Sequence, residues 1–111
     1  MADLLTNAKK IYQGQPGITE GTLATVGAGK KWTILEIVIA NVSVAAATFS
    51  LSIVPSGGSA GDANRIYKTV SVEANTTYPI PHFVVMAEGD FISGLQGTAN
   101  GITLTINGCE V

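Results

Sequence analysis

The sequence predicts an all-β domain, an antiparallel β-sandwich of about eight or nine short strands. Three observations carry that prediction. Segments rich in Val, Ile, Thr and aromatic residues alternate with period two. Gly, Pro, Asn and Asp clusters separate them at regular spacing, and no stretch shows a sustained helical period. A jelly-roll-like topology is preferred and an immunoglobulin-like one stays open, because strand pairing order is not written in local patterns.

The elements follow in order. Residues 1–13 are expected as an N-terminal tail or arm containing a possible first strand, Ala8 to Gln13, with the sandwich domain over 14–111. Gly14-Gln15-Pro16-Gly17 has turn chemistry, and Thr22 to Val26 reads as the second strand, closed by Gly27-Ala28-Gly29-Lys30. Lys30 to Pro55 reads as a β-hairpin around which the rest is organised. Its first arm, Trp32 to Val42, puts Leu35, Ile37 and Ile39 on one face and Ile34, Glu36, Val38 and Ala40 on the other. Its second arm puts Ala47, Phe49, Leu51 and Ile53 inward and Thr48, Ser50 and Ser52 outward. A first arm apolar on both faces implies a central strand whose outer surface is also partly covered, for instance by a neighbouring subunit.

After Pro55 comes a loop of small and polar residues, 56–64, the place for a surface excursion or a binding tip. Arg65 to Val72 alternates as a strand. Pro79 and Pro81 each lack an amide donor, which confines residues 76–81 to a sheet edge. Phe83 to Ala87 and Phe91 to Leu95 read as two short strands joined across Glu88-Gly89-Asp90, and Asn100-Gly101 turns the chain into a last strand from Ile102.

Composition narrows the function. In 111 residues only 13% are charged, about half the usual share, while 46% are hydrophobic, and mean hydropathy is +0.35. So little charge suits a protein that hides surface in an assembly. A net charge of −2 with six basic residues argues against nucleic acid. No apolar run approaches the roughly 20 residues of a membrane span. The single Cys109 excludes an internal disulfide and fits synthesis in a reducing cytosol.

Candidate chemistry is thin. Gly27-Ala28-Gly29-Lys30-Lys31 lacks the upstream Gly, the Ser or Thr after the Lys, and the following helix of a phosphate-binding loop. Residues 57–62 miss the spacing and the carboxylates of a calcium repeat. His82 is the sole histidine, and no spacing ties it to Cys109, Asp62 or Asp90 as a catalytic set. One His and one Cys cannot make a metal site within one chain. Neither an enzyme nor a cofactor is expected.

Three segments carry a resemblance: 23–33 (LATVGAGKKWT), 39–48 with its Asn41-Val42-Ser43, and Glu88-Gly89-Asp90-Phe91-Ile92-Ser93-Gly94. Over residues 22–111 the chain resembles small β-sandwich virion structural proteins of tailed bacteriophages, of the head decoration, head fibre or tail accessory type. Gly27 stands where that group usually has proline. The resemblance implies a non-enzymatic capsid decoration (cement) protein, often a homotrimer, on the capsid surface. It would be made in the host cytoplasm and bind the major capsid protein or another virion protein. The alternative is a tail or fibre accessory module binding a receptor or glycan through the 56–64 loop and Trp32 or Tyr67. Contact residues are expected at Leu4, Leu5, Ile11, Tyr12, Trp32 and Tyr67.

Overall fold

A computed structural model describes residues 7–111. Eight strands form: β1 (Ala8–Gly14), β2 (Gly21–Thr25), β3 (Trp32–Asn41), β4 (Ala47–Val54), β5 (Arg65–Val72), β6 (Thr77–Met86), β7 (Phe91–Gln96) and β8 (Ile102–Glu110). They make two four-stranded antiparallel sheets, sheet 1 in the order β1-β8-β3-β6 and sheet 2 in the order β2-β7-β4-β5. This is a jelly roll. Of the consecutive strands, only β4 and β5 share a sheet; every other connection crosses from one sheet to the other.

That crossing corrects the hairpin reading of residues 30–55. β3 pairs with β6 and β8 in sheet 1, while β4 pairs with β5 and β7 in sheet 2. The short segment after Asn41 therefore steps over the sandwich end. Asn41 holds that step: its amide Nδ2 donates to the carbonyls of Ala45 and Val72, both at 2.9 Å, and its Oδ1 accepts from the Ser43 amide at 2.9 Å. β3 is nonetheless a central strand, as its composition implied.

The facing on β3 is also corrected. Trp32, Ile34, Ile37, Ile39 and Asn41 are buried. The pairing register with both neighbours shifts between Ile34 and Glu36, so Leu35 and Glu36 together occupy the outward step. An extra residue inverts the alternation after it, which is why Ile34 joins Ile37 inside. Gly108 lies where this bulge brings backbones together; a Cβ there would collide with the Thr33 carbonyl oxygen.

Residues 76–87 were expected as an edge piece plus a separate strand. Of these, Thr77–Met86 form the single strand β6, interrupted by a register irregularity opposite the β3 bulge. The core lies between the sheets: Ile34, Ile37, Ile39, Met86, Ile102, Leu104 and Ile106 from sheet 1 meet Phe49, Leu51 and Ile92 from sheet 2. Each such side chain contributes on the order of 1.5–3 kcal/mol by leaving water.

Candidate interaction surface

The two outer faces of the sandwich differ in cover. On sheet 2, Ser50, Ser52 and Ser93 point away from the core yet are buried. Glu20 accounts for part of this: its Oε2 accepts from Ser93 Oγ at 2.6 Å and its Oε1 from Arg65 Nη1 at 2.8 Å. Arg65 Nε and Ser52 Oγ beside it are buried without hydrogen-bond partners. The turn after β4 adds cover, with Gly58 packed on Val54.

Sheet 1 is more open among the described residues, Cys109 being the one buried residue of its outward rows. Pairing sets its outward residues in rows across β1, β8, β3 and β6. One row runs Ala8, Cys109, Thr33, Val85 and the next Lys10, Asn107, Glu36, Pro81. A third runs Gln13, Thr105, Val38, Pro79. Lys10 and Glu36 are the charged residues of these rows. At the β6 edge, Phe83 is 75% exposed, Val85 57% and Tyr78 42%. Beyond the sandwich end, Val44 is 90% exposed and Val42 57%. The prolines of β6 supply no backbone donor to an incoming strand, so this edge resists β-pairing while offering apolar side chains. The Leu35 bulge adds an open cleft of about 340 Å³ lined by Ala8, Lys9, Lys10, Leu35, Asn107 and Gly108.

The residues expected at contacts fall in different places. Leu4 and Leu5 lie outside the described residues. Ile11 and Tyr12, on β1, are half-buried against the core, and burial pushes the Tyr12 phenol pKa up. Trp32 is 4% exposed and thus a core residue. Its indole Nε1 donates to Glu110 Oε2 at 2.8 Å, while Lys9 Nζ sits 5.3 Å from its ring centre and 3.1 Å from the same carboxylate. The Trp32 and Lys9 donors hold the Glu110 carboxyl below its ordinary pKa of 4.5. Tyr67, on β5, packs against Phe49 at 5.4 Å and His82 at 5.7 Å between ring centres. Its hydroxyl lies 3.3 Å from His82 Nδ1, and burial pushes its pKa up. Trp32 and Tyr67 thus have separate partners and do not form one patch.

The 56–64 loop is tied down internally. Asp90 accepts from the Ser56 amide at 3.0 Å, and Asn64 bridges the loop to the Gly61 amide and the Ser59 carbonyl. Phe83, Val85, Tyr78, Val42 and Val44 were not singled out from the sequence. The available signal was the Pro79–Pro81 edge, which implied that the side chains beside it would be half in solvent.

No protein-family model matches the sequence, and no curated protein matches it. Among solved structures, a chain in the structure of the infectious bursal disease virus Gx strain matches with a TM-score of 0.50 at 15% identity, over 90% of this chain and 32% of that one. A chain of the T13 infectious bursal disease virus particle matches with a TM-score of 0.56 at 11% identity, over 93% of this chain and 29% of that one. The shared feature is the jelly-roll fold. This chain spans about a third of the length of those two. A pentameric capsid protein isolated from metagenomic phage sequences aligns over 95% of this chain and 62% of its own, at 16% identity and a TM-score of 0.42.

Proposed function

We propose that this protein is a structural component of a virus particle, acting by adhesion rather than catalysis. The observation that carries the reading is the set of exposed apolar side chains along the β6 edge, Phe83, Val85 and Tyr78, on a jelly roll with too little charge to coat a free surface. The fold likeness to chains of a virus particle supports it.

In finer terms, the reading is a decoration protein of a tailed-phage capsid, made in the host cytoplasm and seated on junctions of the major capsid protein. Oligomers, trimers by the resemblance, would bind through many weak contacts made cooperative by avidity. An N-terminal arm would add reach. Residues 8–14 are already β1 of sheet 1, so that arm is restricted to the residues before it.

The test is co-sedimentation with capsids assembled without this chain. Wild-type protein is expected in the pellet, and loss of residues 1–6 is expected to weaken binding. Protein that stays in the supernatant sinks the decoration reading, while unchanged binding of the truncated chain removes only the arm.

A further inference from the structure

We infer that the outer face of sheet 1 is a twofold contact between copies of this chain, with Lys10 of each copy paired to Glu36 of the other. The inference rests on this face alone and does not require the virion reading.

Lys10, Asn107 and Glu36 occupy one row on adjacent strands β1, β8 and β3. Lys10 and Glu36 therefore lie one strand to either side of β8, at the same height. Neither has an ion-pair partner among the described residues: Lys10 Nζ donates to Gln13 Oε1 at 2.8 Å, and Glu36 Oε1 accepts from Asn107 Nδ2 at 3.4 Å. The neighbouring rows carry no charge.

A second copy turned by 180° about an axis along β8 exchanges β1 with β3 and leaves every row at its height. Lys10 then faces Glu36 twice, and Asn107 faces Asn107 on the axis. This is the self-complementarity that a twofold interface requires. Stacked sheets lie about 10 Å apart with strands near alignment, within the reach of a Lys and a Glu side chain approaching from both sides. The same rotation carries Leu35, displaced outward by the bulge, over the Lys9–Lys10 step of the other copy's β1, at the edge of the open cleft. A partner with a uniformly charged surface would satisfy one of the two charges and oppose the other. A second copy satisfies both.

Charge reversal tests this directly. Light scattering of the wild-type chain should give an even multiple of 11.4 kDa, whether the contact acts alone or joins two trimers. Lys10→Glu or Glu36→Lys alone should halve that mass and weaken self-association roughly tenfold or more, and the double swap should restore it. Circular dichroism checks folding, and the milder Glu36→Gln, expected to weaken association less, replaces any reversal that fails to fold. An odd multiple for the wild type, an even multiple indifferent to both reversals, or a double swap that does not recover overturns the inference. Capsid binding by a chain of odd-multiple mass would leave the virion reading standing while this one fell.

Discussion

The outer faces of the two sheets solve the same problem in opposite ways. Sheet 2 is covered from within: Glu20, from the segment before β2, spans Ser93 and Arg65, and the turn after β4 closes over Val54. Sheet 1 keeps its rows open, with Thr, Val and Pro side chains and one charge of each sign. The edges differ in the same sense. β5 breaks register with β4 twice, near Thr69, which has a φ of 48°, whereas β6 relies on two prolines and leaves Phe83 exposed. Among the described residues the chain covers one face more fully than the other, and under the proposed reading the open face is where a partner sits.

The largest expected effect treats the sheets alike. Phe49→Ala beneath sheet 2 and Ile106→Ala beneath sheet 1 each empty a fully buried site, and each should cost about 3–5 kcal/mol in denaturant unfolding. A much smaller cost on one side would mean that the sheets do not share one core. The covered face should break next. Glu20→Ala removes the counter-charge of a largely buried Arg65 and should cost about 1–3 kcal/mol, with Arg65→Met in the same chain recovering part of it. Recovery is expected because Arg65 Nε is already unpartnered.

The open face should show the reverse profile. Phe83→Ser with Val85→Thr should change stability by no more than about 0.5 kcal/mol, yet weaken binding to a particle or partner roughly tenfold or more. A smaller effect concerns pH. Because the Glu110 carboxyl titrates below its ordinary value, its bonds to Trp32 and Lys9 favour the fold above that value, and the benefit fades as pH falls through the lowered one. Trp32→Phe removes the principal donor, so the Glu110 titration followed by NMR should move up toward 4.5.

Much of the fold was legible in the sequence because strand periodicity and turn chemistry are local. The segment 65–72 needed nothing beyond alternation, and Pro79 and Pro81 marked an edge. What was not legible depends on remote partners. Nothing in residues 30–55 says that β3 leaves β4 to pair with β8, some 70 residues on. The bulge at Leu35 arises from backbone register, and without it Ile34 reads as outward. The cover of sheet 2 hangs on Glu20 and Arg65, 45 residues apart. The proposed contact surface has only part of its signal in the sequence: the apolar outer side of β3 suggests a neighbour, but Trp32, the conspicuous aromatic, is buried in the core.

Hydroxyl-radical footprinting of the protein alone and in its assembled state reads the exposure of the β6 edge residue by residue. Phe83 and Val85 should be labelled in the dissociated chain and protected on assembly, while Ile18, exposed in the loop before β2, keeps its labelling. Labelling of Phe83 and Val85 that is equal in both states would contradict the reservation of this face for a partner.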